Sequence, residues 1–545
     1  MPAAEYRPST TQFAACIYTG AQALVPLQIS CKSIYSSLSK HYSSFMNYPF
    51  TDNSTAPLSL RPALRLIMTG MALLLASCSL APPAAKPLVQ PLQTSQLALG
   101  TSFDQAATGA GAEWPGRQWW QAFNDPQLNH LIEQALAGTP SLALAQARLD
   151  QALATAGAAR TADGLGGQLS ASATRERFSA EDIFPPPLGG GIYWDNAATA
   201  SARYELDLWG QRKLSLTAAL DDAHARQADL DEARRVLVSA IAHAWVQLSL
   251  QYRQTDLLQD TLAHQTRLVD LSRRRLKAGL GTQLEVAQAA GAPPATQAQL
   301  DAVQGHIVLL QNQLAALTGQ GPGAGEQLGR PALKLDQTLS QPATIPARWI
   351  GRRPDIIAGR WRVEAAARAI DIARTRYYPD IDITAFAGFQ ALGFRHFITD
   401  SAEANGVTPA ISLPIFNRGR LKAGLDSRGA DYDAAIASYD DGVIKAVQEV
   451  ADEVAGLKAL ANEAKDREAA VALAQQTCNL AEAGLRAGLT DHSHVLEAEI
   501  GLFIQQQQLL AVQARQLDAR ITLVQAVGGS ADLRSQPAYA EGGQP

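Results

Sequence analysis

Aromatic residues make up only 6% of this 545-residue chain, and cysteine occurs four times, at Cys16, Cys31, Cys78 and Cys478. Beyond a short leader there is no apolar run of about 20 residues, which a membrane-spanning helix requires. With a mean hydropathy of −0.08, the chain is not a helical membrane protein. Neither sign of charge dominates: 46 Lys and Arg stand against 51 Asp and Glu, for a net charge of −5. That balance excludes a nucleic-acid surface and an acidic tail. Enzyme motifs are missing too. Gly319-Gln-Gly-Pro-Gly-Ala-Gly325 lacks the Lys-Ser/Thr that a phosphate loop needs, and no His-Glu-x-x-His occurs. His492 and His494 flank a turn without a third ligand in sequence, so neither metal nor cofactor is expected. Proline and glycine are absent from Gln211 to Lys277.

What is present begins with an address. Arg61 and Arg65 precede the apolar stretch Leu66–Leu75, which runs into Leu75-Ala76-Ser77-Cys78. A positive start, a short apolar run and small residues at its end make a secretory signal. Leu-Ala-Ser-Cys resembles a bacterial lipobox, which implies lipidation at Cys78. Residues 1–77 are therefore read as the signal region, with 1–45 lying ahead of a better start at Met46. Cys16 and Cys31 then leave with the leader, Cys78 carries lipid, and Cys478 is alone, so no disulfide is expected. By resemblance to bacterial lipoproteins, Ser79 favours outer-membrane sorting. Residues 78–118, rich in Ala, Pro and Gln, read as a lipidated tether.

The body shows an internal two-fold repeat at a period of about 210 residues. Leu206–Arg212 matches Leu413–Gly419, Arg275–Gly281 matches Leu485–Thr490, and Thr139-Pro140-Ser141 matches Arg353-Pro354-Asp355. The repeats span 119–320 and 346–529, with a linker at 321–345 and a flexible tail at 530–545. Each half reads as a helix (126–160, 346–377), a strand (168–174, 380–386), a loop and a second strand (192–208, 406–416). A long helix (210–278, 419–486), a Gly-Leu turn and another helix (283–318, 492–527) follow. In the first long run, Leu214, Ala218, Ala225, Ala228, Leu230, Val236, Leu237, Ile241, Ala244, Trp245 and Leu248 recur at helical spacing. A helix of about 65 residues is on the order of 100 Å long. Pro293-Pro294 falls inside the helix expected after the first turn, where proline costs about 3 kcal/mol, and predicts a kink or break.

The strand segments alternate small or polar residues with apolar ones, as a sheet between two environments does. In a bilayer such a sheet must close. Single-chain barrels start at about 8 strands, and this chain offers four, so several copies must pool theirs.

Trp119-Trp120-Gln-Ala-Phe-Asn-Asp-Pro-Gln-Leu128, Tyr204–Gly210, Arg352-Arg-Pro-Asp-Ile356, Tyr378-Pro379 and Leu413–Phe416 resemble the outer membrane factor family, the TolC-like channels, in its lipoprotein (NodT-type) branch. The resemblance covers about 114–529. It implies a mainly α fold with membrane β, in which a homotrimer shares a 12-stranded barrel above a periplasmic α-helical barrel. It also implies a periplasmic adaptor (membrane fusion) protein, an inner-membrane RND-type pump and outer-membrane lipid as partners. Trp209, Gly210, Pro414 and Phe416 would mark the junction of barrel and helices. Ala278, Gly279, Leu280, Ala487, Gly488 and Leu489 would form the tips that meet the adaptor, although helix capping alone accounts for their types. In the family an acid at the position of Glu497 commonly faces the closed end, with a second acid three residues earlier. Here that place is His494, which would make the charge of the aperture depend on pH near neutrality. Asp491 completes the candidate aperture residues. The function implied is a passive exit duct for small molecules. A type I protein-secretion channel and a pore-free coiled-coil spacer remain as alternatives.

Overall fold

X-Pro pairs fix a helix start in each half, at Pro140 and at Pro354. The computed structural model describes residues 118–162, 166–181, 187–337 and 345–529, with isolated positions before them. The expected lipidation site Cys78, the signal region, most of the span read as tether, the tail and residues 182–186 lie outside the described residues. Apart from 3-10 turns and a four-residue helix at Pro322–Gly325, the order is β1 (Phe103–Asp104), α1 (Pro126–Gly138), α2 (Pro140–Thr161), β2 (Gly166–Arg177), β3 (Ile192–Leu206), α3 (Gln211–Lys277) and α4 (Gln283–Leu317). Then come β4 (Ile345–Pro346), α5 (Pro354–Thr375), β5 (Asp380–Leu392), β6 (Glu403–Ser412), α6 (Arg418–Arg486) and α7 (His492–Ala526).

The single helix expected over 126–160 is cut at Thr139, which is extended at φ −74°, ψ 148°. A proline ring pushes the preceding residue out of the helical region, while proline itself is tolerated at the first helical position. Arg353, before Pro354, is extended in the same way at φ −61°, ψ 129°. The second helix accordingly starts at 354 and not at 346. The halves match in helix length: 22 and 22 residues for α2 and α5, 67 and 69 for α3 and α6, 35 and 35 for α4 and α7.

The break expected at Pro293-Pro294 does not occur. Helix α4 runs through both prolines. The carbonyls that lose their donors, on Ala289 and Ala290, belong to half-exposed residues that water can reach. Just beyond, buried Thr296 is held by its hydroxyl to the Gln265 side chain of α3 at 2.8 Å. Packing overrides the local penalty here, as it commonly does for helix propensity.

The chain divides into a sheet unit, built on 164–211 and 370–429, and a helical unit holding most of the remainder. In the helical unit Trp245, Ile241 and Leu248 of α3 are fully buried in one cluster with Phe123, Leu128 and Ile132 and with Leu517 and Ile521 of α7. Val236, counted in the α3 stripe, is instead 44% exposed, because its neighbour Leu237 faces the core. A second cluster joins Phe103, Ile345, Trp349, Val450 and Leu523. Phe103–Asp104, inside the span read as tether, pairs in parallel with Ile345–Pro346. Among the described residues, no helix is long and apolar enough to cross a membrane.

In the sheet unit four antiparallel strands lie in the order β2-β3-β5-β6. Strand β6 spans 403–412, not 406–416, and its end precedes Pro414, which has no N–H for a ladder.

Candidate functional site

The register sorts the sheet into two chemical faces. Leu169 lies opposite Ala200, Ala200 opposite Ala387, Ile383 opposite Pro409, and Ile381 opposite Ile411. These share one face with Ala171, Trp194, Ala198, Tyr204, Phe389 and Val407. The alternate residues, among them Gln168, Ser170, Thr199, Ser201, Arg203, Asp382 and Thr408, share the other. Polar groups pair across it: Ser170 and Thr199 hydroxyls at 2.9 Å, and Arg203 with Asp382 at 3.3 Å. Strand lengths of 12, 15, 13 and 10 residues suit the 9–11 residues a tilted strand needs to span a bilayer. Among the described residues the outer edges of β2 and β6 have no strand partner, and every residue of β2 is exposed. An apolar face, a polar face and two unpaired edges describe a segment of wall.

The junction residues differ from one another. The Trp209 indole N–H donates to the Pro379 carbonyl at 2.7 Å, and its ring stacks on Tyr378 with centroids 4.7 Å apart. Gly210, at φ 71°, supplies the left-handed residue that turns the chain into α3. Pro414 is half-buried, while Phe416, read as the counterpart of Trp209, is 97% exposed.

The two helix turns are built alike. Gly279 and Gly488 are left-handed, at φ 73° and 69°. Leu280 N–H donates to the Arg275 carbonyl and Leu489 N–H to that of Gly484, at 2.9 and 2.8 Å. Gly279 N–H reaches the Leu276 carbonyl and Gly488 N–H that of Leu485, each at 3.0 Å, which completes the Schellman pattern. That motif normally packs its last apolar residue back on the helix; here Leu280 and Leu489 are 72% and 84% exposed. Ala278 and Ala487 close the preceding helices. Helix α4 opens with a capping box between Thr282 and Glu285.

Asp491 caps α7 by accepting from the Ser493 N–H at 3.0 Å and contacts His494 Nδ1 at 3.1 Å. It also pairs with the Arg275 guanidinium, which joins the two turns. Partial burial opposes its charge, but the contacts from His494, Ser493 N–H and Arg275 outweigh that and pull its pKa down to about 2. Glu497, one turn further on, is exposed, as is His494. Asp491 and His494 are thus brought together, while Glu497 stays apart from them. No group of three or more His, Cys, Asp or Glu among the described residues could hold a metal.

Two buried centres escaped the sequence reading. The Asp125 carboxylate is 1% exposed. Its Oδ1 accepts from the Gln127 and Leu128 N–H groups, and its Oδ2 from Trp245 Nε1, Ala332 N–H and Leu333 N–H, all at 2.9–3.2 Å. Only the cap was legible, from Asp-Pro at a helix start. Arg353 donates to Glu449, Asp355 and the Ala526 carbonyl, and so anchors the end of α7.

A four-stranded sheet with one apolar and one polar face, in a chain whose longest helices are on the order of 100 Å, is the make-up of an outer-membrane channel protein. The chain belongs to the outer membrane efflux protein family, whose profile matches residues 131–320 and again 346–529. The fusaric acid resistance protein FusA of Burkholderia cepacia is 40% identical over 374 residues, 67% of this chain and 69% of that protein. The multidrug resistance outer membrane protein MdtQ of Escherichia coli O6:H1 is 32% identical over 425 residues, 76% of this chain and 88% of that one. The crystal structure of the outer membrane protein VceC of Vibrio cholerae matches with a TM-score of 0.71 at 34% identity, covering 77% of this chain and 100% of that chain. The fold is predominantly helical and TolC-like. The protein is the outer-membrane component of a tripartite efflux system.

Proposed function

We propose that three copies assemble into one passive exit duct for small molecules, each giving four strands to a shared 12-stranded barrel. The observation that carries this is the sheet itself, amphipathic and open at both edges. Four strands cannot close, and an open edge in lipid leaves a row of backbone groups without partners. A pore-free spacer has no use for such a sheet. The drug-resistance names of the relatives favour small molecules over secreted proteins.

The halves at 119–320 and 346–529, separated by the 321–345 linker, descend from a duplication; the matched helix lengths support this. Cys78 carries the lipid anchor that holds the protein to outer-membrane lipid. The exposed Leu280 and Leu489, with Ala278, Gly279, Ala487 and Gly488 shaping their turns, meet a periplasmic adaptor protein, and an inner-membrane RND-type pump supplies the energy. At the aperture, Arg275 balances the charge of Asp491, so Glu497 supplies the negative potential that favours cations beside His494. Trp209, Gly210, Pro414 and Phe416 mark the change from barrel to helices. Planar-bilayer recordings test the pore. Wild type conducts with cation preference and Glu497→Ala loses part of that preference. Absence of conductance contradicts the channel, and unchanged selectivity contradicts the role of Glu497.

A further inference from the structure

The lipid-side face of the sheet is apolar along most of its length, with charges in one place only. Within the strands the charged residues on that face are Arg175 and Arg177, at the loop end of β2, and Glu403, the first residue of β6. At the helix end the same face ends in Tyr204, Leu206, Ile381 and Ile411, without charge. A charge at the bilayer midplane costs about 2–4 kcal/mol and near the interface about 0–1, so such residues belong at a headgroup level.

The surroundings of the arginines fit a headgroup. Arg175 lies directly opposite Trp194, and Arg177 opposite Ile192. Trp194 packs on Phe394 with ring centroids 5.5 Å apart, and the two remain 40% and 61% exposed. Aromatic rings at this level are a mark of the membrane interface. Asn196, next along that face, is buried with neither amide atom hydrogen-bonded among the described residues. Neither arginine has an ion-pair partner among the described residues, and guanidinium groups match phosphate oxygens in bidentate fashion.

We infer that Arg175 and Arg177, beside the Trp194–Phe394 pair, form a docking site for a phosphate-bearing glycolipid of the outer leaflet. The inference rests on the proposed barrel, which sets this face against lipid with its loops outward. Each arginine near an anionic lipid surface contributes about fivefold in affinity, so the pair gives about thirtyfold.

The test uses the full chain in phosphatidylcholine nanodiscs doped with diphosphoryl lipid A or its dephosphorylated form, with retained lipid counted by native mass spectrometry. Wild type retains the diphosphoryl form preferentially, Arg175→Gln/Arg177→Gln loses about thirtyfold, and Arg175→Lys/Arg177→Lys loses less. Equal retention of the two lipids by wild type overturns the site, and that readout stands even if the Gln variant fails to fold. Loss of the preference in Glu403→Gln, with both arginines intact, also overturns it, since the carboxylate and not the basic pair would then be selecting the lipid. Conductance in the same bilayers separates the two readings. A conducting channel without lipid preference refutes only this site; a protein that never inserts refutes the barrel and the site with it.

Discussion

Lysine placed at two consecutive positions of β3 should have opposite consequences. Ala200 sits near the middle of the strand on the apolar face, between Leu169 and Ala387. Thr199 sits one residue earlier on the polar face, hydrogen-bonded to Ser170. Successive side chains of a strand point to opposite faces, so Ala200→Lys puts an ammonium into hydrocarbon and Thr199→Lys puts it into water. A lipid-facing lysine at the midplane costs about 2–4 kcal/mol, a factor of roughly 30 to several hundred in the folding equilibrium of each copy. Thr199→Lys forfeits one exposed hydroxyl pair, about 0.5–1.5 kcal/mol at most. The assay is urea unfolding in phosphatidylcholine vesicles, with heat-modifiable gel migration as a check on the folded oligomer. Ala200→Lys should shift the midpoint strongly and Thr199→Lys little. Equal shifts, or the reverse order, would refute the assignment of faces.

Asp125→Ala strands the indole N–H of Trp245 and four backbone N–H groups around a buried site, and should cost about 3–5 kcal/mol in thermal or denaturant unfolding. Asp125→Asn, which loses only one acceptor oxygen, should cost less. Leu280→Ser with Leu489→Ser should leave stability within about 0.5 kcal/mol, because both are exposed, yet sensitise cells to exported drugs. Unchanged susceptibility would remove these residues from the adaptor contact. Burial raises the Asp221 pKa from 3.8 to about 6, with Arg368 opposing and Glu364 adding to the rise. The folded state then holds a proton that the unfolded state has released, so this contribution is present below about pH 4 and lost as pH rises to about 6. Asp221→Asn should therefore match wild type near pH 4 and exceed it at pH 8 by up to about 3 kcal/mol, read by thermal unfolding at both pH values.

The long helices were legible because nothing in Gln211–Lys277 stops a helix and the apolar stripe persists over many turns. The two turns were legible because Ala-Gly-Leu followed by Thr or Asp carries its own stop and start chemistry. The strands were located, but their faces were not resolved. Alanine supplies much of the apolar face, at 198, 200, 202, 385 and 387, and alanine alternating with serine gives little contrast. Only the pairing register aligns Leu169, Ile383 and Ile411 on one side. The pairing of Arg275 with Asp491 and the three outer donors to Asp125 were hidden, since they join residues more than 100 positions apart. Pro293-Pro294 misled because a local rule was applied where the contacts of α4 with α3 decide.

Cross-linking at the sheet edges tests the account most directly. Single cysteines on the outermost strands, at Ser172 in β2 and Thr408 in β6, should join neighbouring copies in the membrane and yield a ladder that stops at three. Folded, membrane-inserted protein that stays a monomer under the same oxidant, or a ladder that climbs without limit, would contradict a wall completed by identical neighbours.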